Sequence, residues 1–291
     1  MKNILITGAT GNVGISVIEA LWPHANQINL IAGVRDPDSK DEKPDSFKIK
    51  RVKFDFTDNT TFNNAFKQVD ILFLLRPPQI SDVKNIFEPL ILAAMESKIQ
   101  HIIFLSVQGV ERSSIIPHHK IEKLIVDSKI PFTFLRPAYF MQNFTTTLRN
   151  DLAKNHRIFL PAGKAIFTLV DVRDIGKTAA AIILDSGSHI NKKYELTSSE
   201  KYNFAGMAVK LSDGLGVPIN YESPNLLRFF WVKRKEKMPV PLILVMIMLH
   251  YLPRFQKVPE NTEWVMKLTG NQPILFEKFI ADNKEIILNN K

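Results

Sequence analysis

Cysteine is absent from the 291 residues. That excludes disulfides, thiol catalysis and thiolate metal sites, and leaves the compartment open. Long apolar runs are missing too. The longest, Val240 to Leu252, is too short to span a bilayer and is interrupted by Pro241 and His250. There is no HExxH pair, no Cys/His cluster and no acidic pair at metal-loop spacing, so no metal is expected. Acidic excess is also lacking: 38 Lys and Arg against 29 Asp and Glu leave a net charge of +9. A nucleic-acid binder concentrates such charge on one face. Here only Arg228 to Lys237, RFFWVKRKEK, is dense. It reads first as a solvated helix face, with a polyanion or partner site as the alternative. Met1-Lys2-Asn3 runs straight into a strand-like segment with no cleavage pattern behind it. The default expectation is a soluble cytoplasmic protein with no nucleic-acid and no membrane partner.

What is present is an alternation of two periodicities. Near-continuous apolar runs suggest strands at Asn3–Thr7, Ile28–Arg35, Arg51–Asp55, Ile71–Leu75, His101–Val107 and Phe132–Arg136. Helical patterns fall between them at Val13–Trp22, Thr60–Lys67, Val83–Lys98 and Pro117–Ser128, with a further helix at Asp171–Leu184 and a strand at Tyr194–Thr197. Strands that are apolar on both faces belong in a parallel sheet covered by helices, so the fold class expected is α/β, a doubly wound parallel sheet. After about residue 200 the pattern becomes mostly helical: Phe204–Leu215, Asn225–Lys235, Leu242–Leu252, Glu260–Leu268 and Leu275–Ile287, punctuated by prolines.

Three of the twelve glycines stand in GATGNVG, Gly8 to Gly14, behind the first strand and ahead of the first helix. In that context Gly8 allows a tight turn, Gly11 admits a pyrophosphate to the backbone, and Gly14 lets the helix lie close on the strand. Free N–H groups and the positive helix end then face the diphosphate. The residues expected at this cofactor are Thr7, Gly8, Thr10, Gly11, Asn12, Val13 and Gly14. The tip of the second strand, GVRDPDSK, selects the nucleotide. Arg35, with Lys40 behind it, suits a 2′-phosphate, so NADP(H) is expected in preference to NAD(H); Asp36 would serve NAD if the register differs by one. Asp55 and Phe56, after the third strand, are candidates to meet the adenine, although an ordinary turn acid is an equal reading of Asp55. The loop lacks the Gly-Lys-Ser/Thr ending of a nucleoside triphosphatase.

An ordered set of stretches extends the pattern: ILITGATGNVG, AGVRDP, HIIFLSVQG, HHKIEKLIVDSKIPFTFLRPAYFMQNF, FTLVDVRDIGKTAAAIIL and LTGNQPILFEKFIAD. In these the chain resembles the NmrA-like group of atypical short-chain dehydrogenases/reductases, over nearly its whole length. The group includes NADPH-dependent quinone reductases, triphenylmethane-dye reductases and catalytically silent NADP-sensing regulators. The resemblance implies a Rossmann-type NAD(P)-binding domain over residues 1–138 and 170–200. It also implies a smaller, mainly helical substrate-binding domain over 139–169 and 201–291.

The wider superfamily uses Ser, Tyr and Lys, with Tyr four residues before Lys. Here Ser106 and Lys120 are in place, but Ile116 stands where the tyrosine would be. A positioned acid contributes typically about 10²–10⁴-fold to reducing an isolated ketone, so alcohol dehydrogenation and sugar epimerisation are disfavoured. A quinone delocalises the charge it gains and takes its proton from solvent. The function expected is therefore NADPH-dependent hydride transfer to a quinone or similar conjugated, apolar or aromatic acceptor. The alternative is a non-enzymatic NADP(H) sensor acting through a protein partner. Lys120 is expected on the nicotinamide ribose. Ser106, Val107, Leu75 and Arg76 lie at strand ends, where ligands sit. Pro137, Tyr139, Phe140 and Asn143 resemble the family's nicotinamide-side wall. Tyr139 is either a proton donor or a packed aromatic, and at most one of His118 and His119 would face the cleft. The apolar segment 226–252, with Phe229, Phe230, Trp231, Met246 and Met248, reads as core or as the cover of the substrate site.

Overall fold

The computed structural model describes residues 1–39, 47 and 49–289; Lys40 lies outside the described residues. In chain order the strands begin with β1 (Lys2–Thr7), β2 (Ile28–Val34), β3 (Lys50–Lys53), β4 (Ile71–Leu75), β5 (His101–Leu105) and β6 (Phe132–Pro137). They continue with β7 (Tyr139–Phe140), β8 (Arg157–Phe159), β9 (Ile166–Val170), β10 (Lys192–Leu196), β11 (Lys201–Asn203) and β12 (Asn220–Glu222). The α-helices begin with α1 (Asn12–Leu21), α2 (Phe62–Ala65), α3 (Val83–Glu96), α4 (Pro117–Asp127), α5 (Arg149–Asn155) and α6 (Val172–Leu184). They continue with α7 (Phe204–Leu215), α8 (Leu226–Lys235), α9 (Val240–Tyr251), α10 (Trp264–Thr269) and α11 (Phe276–Leu288). None of these helices is long and apolar enough to cross a membrane.

The chain divides into two compact units. The first comprises Met1–Pro137, Val172–Leu196 and Trp264–Asn271. It is built on a seven-stranded sheet in the order β10-β6-β5-β4-β1-β2-β3, every pairing parallel. The doubly wound fold expected from the apolar strands is thus present, and the strand order reverses between β1 and β4. Side chains alternate across the strands. Leu5, Leu72, Leu74, Ile102, Phe104 and Phe134 join one buried cluster with residues of α3 and α4. Their neighbours Ile4, Ile6, Phe73, Ile103 and Leu135 are equally buried, on the opposite face. Helices α1 and α6 pack against each other, so closely that a Cβ on Gly176 would stand 2.4 Å from the Ser16 carbonyl oxygen. The short α10 joins this unit although the chain on both sides of it does not: Trp264 meets Tyr194 of β10 edge-on, with centroids 4.9 Å apart.

The second unit comprises Ala138–Asp171, Thr197–Glu263 and Gln272–Lys291. Its core gathers Phe144, Phe159, Phe204, Phe229, Phe276 and Phe279. It also carries short strands that the sequence pattern did not show. Strands β11, β9 and β7 form a three-stranded sheet, and β12 pairs with β8. Segments of two to five residues are too short to establish a period of two, so they carry no alternation to read. Two helical expectations also shift. Thr60–Lys67 is a 3₁₀ turn, Asn59–Thr61, followed by α2, and the helix expected from Glu260 begins at Trp264.

A buried charge network ties this unit together. Lys233 of α8 pairs with Asp151 of α5, both about 5% exposed, and with Glu236 at 2.9 Å. Arg157 reaches the same Asp151 at 3.2 Å. Burial would raise the Asp151 pKa, but the Lys233, Asn155 and Arg157 contacts outweigh it and hold the carboxyl below its usual range.

Candidate functional site

The glycine loop is built as an anion seat. Gly8 follows β1 at φ +61°, in the left-handed region, and its carbonyl accepts the Gly11 N–H at 3.0 Å. A Cβ on Gly14 would lie 2.2 Å from the Gly8 carbonyl oxygen, whereas one on Gly11 would meet nothing nearer than 3.4 Å. Gly14 therefore closes the turn and Gly11 leaves the approach open. Helix α1 starts at Asn12 with no side-chain cap and no acid in its first turn. Its first helical bond runs from Ile15 N–H to Gly11 C=O at 2.9 Å. The N–H groups of Asn12, Val13 and Gly14 precede that bond and remain as the helix's N-terminal donors. This chemistry fits a dinucleotide pyrophosphate. Thr7 serves the seat indirectly: its buried Oγ1 donates to Phe73 C=O at 3.0 Å and accepts from Leu75 N–H at 3.1 Å, pinning β1 to β4. The Leu75 side chain lies against Gly8. Gly14→Ala should push its methyl into the Gly8 carbonyl at a cost of about 1–3 kcal/mol. The expected outcome, read by titration, is a loss of about ten- to a hundredfold in affinity for NADPH and NADH alike.

At the tip of β2 a cavity of about 330 Å³ is lined by Thr10, Val34, Arg35, Asp36, Ser39 and Arg51. Arg51 is a residue the sequence reading did not single out. It stands in β3 opposite Ala32, and its guanidinium donates to the carbonyls of Pro37 and Ser39, which holds the β2 loop over the cavity. Asp36 Oδ1 accepts the Asp38 N–H at 3.0 Å, so its carboxylate is engaged in its own turn. Asp55 is likewise engaged, accepting from Thr57 N–H and Oγ1 at 2.9 and 2.8 Å. The Thr57 backbone bond leads the causes that hold its pKa down. Phe56 is 9% exposed and packs edge-on to Phe54 within the core.

At the ends of β4 and β5 the placement is uneven. Ser106 is buried, and its Oγ has no hydrogen-bond partner among the described residues. A buried hydroxyl without a partner carries a desolvation cost that calls for an explanation. Val107 beside it and Pro137 at the end of β6 border the same edge of the sheet. Arg76 is used by its own loop, donating to the carbonyls of Pro77 and Pro78 at 3.1 Å each. His118 lies on the inner face of α4 with Ile121, Glu122 and Ile125. Its Nε2 is 3.4 Å from Arg76 Nε, and burial first, then Arg76, pushes its pKa down to about 3. Lys120 falls on the outer face of α4 and is exposed. It lines a groove of about 520 Å³ with Ser81, Asp82, Glu88, His119 and Lys123. The helical phase therefore sets His118, not Lys120, toward the sheet. Ile116 is the residue just before α4.

In the second unit Tyr139 is a half-buried aromatic among Phe167, Phe204 and His250. His250 Nδ1 lies within bonding distance of the Met246 carbonyl, 2.6 Å. A carbonyl only accepts, so Nδ1 carries the hydrogen and Nε2 accepts from the Tyr139 hydroxyl at 3.1 Å. Burial raises the Tyr139 pKa. The phenolic proton is thus committed to His250. Phe140 is half-buried, and the Asn143 carbonyl accepts the Leu148 N–H at 2.9 Å, capping a turn. Within 226–252, Phe229 and Met246 are core, while Trp231 and Met248 are exposed. Among the described residues no group of three or more His, Asp or Glu is placed to hold a metal.

His250 gives a pH prediction. Burial lowers its pKa from 6.5 to about 4. The unfolded chain therefore binds a proton before the folded one does, and stability falls as the pH drops from about 6.5 toward 4. The His250 share is up to about 3 kcal/mol. Urea melts across this range should show the loss, and His250→Gln should flatten its slope.

The model of the NmrA-like family matches residues 1–264. Prestalk A differentiation protein A of Dictyostelium discoideum is 28% identical over 280 residues, 96% of this chain and 92% of that one. Quinone oxidoreductase 2 of Escherichia coli K12 is 26% identical over 224 residues, 76% of this chain and 77% of that one. The structure of Citrobacter sp. triphenylmethane reductase, complexed with NADP(H), superposes with a TM-score of 0.82 at 24% identity. That match covers 97% of this chain and 100% of the other, and it establishes likeness of fold.

Proposed function

The chain belongs to the NmrA-like family, and from that premise we propose that it is an NADPH-dependent reductase of quinones or similar conjugated acceptors. The observation that carries the proposal is the uncapped N-terminus of α1 behind the Gly8 turn, with Arg35 and Arg51 at the neighbouring cavity. The N–H groups of Asn12, Val13 and Gly14 would hold the pyrophosphate. The two guanidiniums would hold the ribose 2′-phosphate, which favours NADP(H) over NAD(H). The bound cofactor supplies a hydride. The Ser106 hydroxyl, orphaned in the sheet edge, is assigned to the nicotinamide end.

Two positions considered for a general acid support this acceptor class. Ile116 stands in the place of an acid, and the Tyr139 proton is committed to His250. A quinone takes two electrons as hydride and one proton from solvent to give a hydroquinone, so no protein acid is needed; positioning and a water-poor site suffice. The quinone reductase and the NADP(H)-bound dye reductase among its relatives support this reading. Tyr139→Phe should accordingly change kcat less than threefold, far short of the roughly 10²–10⁴-fold expected on removing a general acid.

The test is NADPH oxidation by the purified protein, without flavin, against a panel of quinones, with NADH in parallel. Quinone-dependent loss of NADPH above background, and slower loss of NADH, is the expected result. Tight NADPH binding with no turnover on any acceptor would instead favour a sensor that acts through a protein partner.

A further inference from the structure

Helix α9 carries no polar side chain from Val240 to Leu249. One stripe, Ile243, Met246 and His250, is buried in the core of the second unit. The opposite stripe, Leu242, Leu244, Met248 and Leu249, is 38–54% exposed, and Leu252 continues it. A helix that is apolar all round is ordinarily covered all round. Large apolar side chains are also exposed in the chain on either side of α9, Trp231 at 63% and Phe255 at 72%. In the chain, cations flank α9 on both sides. Arg234, Lys235 and Lys237 precede α9, and Arg254 and Lys257 follow it, all exposed. Between Asn225 and Val258 the sequence has a single acid, Glu236. The basic stretch noted in the sequence thus leads directly into this apolar helix.

We propose that this face docks on the surface of an anionic lipid bilayer, with the outer stripe of α9 in the headgroup–acyl boundary and the basic segments that flank α9 in the chain on the lipid phosphates. Charge decides between occupants. A second copy meeting this face about a two-fold axis would bring its basic segments toward those of the first, and like charges repel. A small ligand would cover only part of an apolar stripe that runs the length of α9 and on to Leu252. An anionic interface complements the apolar stripe and both basic segments at once, and the exposed Trp231 in the preceding helix suits headgroup depth. Twelve residues of helix reach only about 18 Å, which is enough for lying in the interface and too little for crossing it. The expectation of no membrane partner rested on spanning length, which surface docking does not require. The inference is independent of the proposed chemistry.

Co-sedimentation of the full chain with vesicles tests it. Binding is expected to phosphatidylcholine–phosphatidylglycerol vesicles, much less to phosphatidylcholine alone, and to weaken with salt. Leu244→Glu with Leu249→Glu, both exposed and so tolerated by the fold, should abolish binding without changing the melting curve. Lys235→Glu with Lys237→Glu should weaken it by at least about tenfold. Three results would overturn the proposal: no binding to anionic vesicles, binding that survives both glutamates, or sedimentation equilibrium showing a dimer that Leu249→Glu dissociates.

Discussion

Replacing both Arg35 and Arg51 with alanine is expected to weaken NADPH binding by about a hundredfold or more while leaving NADH binding within about threefold. Each guanidinium would make charge-assisted bonds to a phosphate that only NADPH carries, each worth about 1.5–3 kcal/mol. The two residues line one cavity, so their effects should couple rather than simply add. Arg51→Lys separates charge from shape. It keeps a cation but loses the planar fork that holds the Pro37 and Ser39 carbonyls, and it should fall between wild type and alanine. Parallel titrations with the two nucleotides read the ratio. A double variant that loses NADH affinity as steeply as NADPH affinity would mean that the arginines shape the loop and do not read the phosphate.

Lys233→Met is expected to destabilise the protein by about 3–5 kcal/mol, because it strands the Asp151 carboxylate in a buried site. Arg157 remains at 3.2 Å and is partly exposed, so the loss should fall toward the lower end of that range. Asp151→Asn in the same background should recover much of the loss by removing the uncompensated charge. The wild-type pair also contributes an acid limit. The folded Asp151 pKa lies below its unfolded value, so its stabilisation is present above the unfolded carboxylate pKa and is lost as the pH falls through the folded one. Denaturant melts of the two variants against wild type, taken at neutral pH and again below pH 5, check both statements. A Lys233→Met melt indistinguishable from wild type would show that the pair contributes nothing net.

The parts of the account that were legible in the sequence are those written in local pattern. GATGNVG announces its own geometry, because a left-handed Gly8 and a Gly14 pressed on a carbonyl are demands that only glycine meets at that spacing. The core strands were legible because both faces are apolar. Arg51 was not, because its place beside Arg35 depends on the register of β2 against β3, which no local pattern encodes. Nor was the outward turn of Lys120. A motif offset fixes its position in the chain, but the phase of α4 is set by Ile121 and Ile125 entering the core. His250 was hidden for a similar reason: it meets Tyr139 across 111 residues. The short strands of the second unit were missed because two to five residues hold too little alternation to register.

The central claim is that hydride leaves NADPH on this protein for an acceptor that needs no protein acid. The most direct measurement is a single turnover: protein loaded with stoichiometric NADPH is mixed rapidly with a quinone, and nicotinamide fluorescence is followed across a range of pH. The account predicts a decay well above the rate in free solution, little changed between neutral and mildly alkaline pH and little changed in Tyr139→Phe. Persistent fluorescence from bound NADPH, with no decay on any quinone, would contradict it.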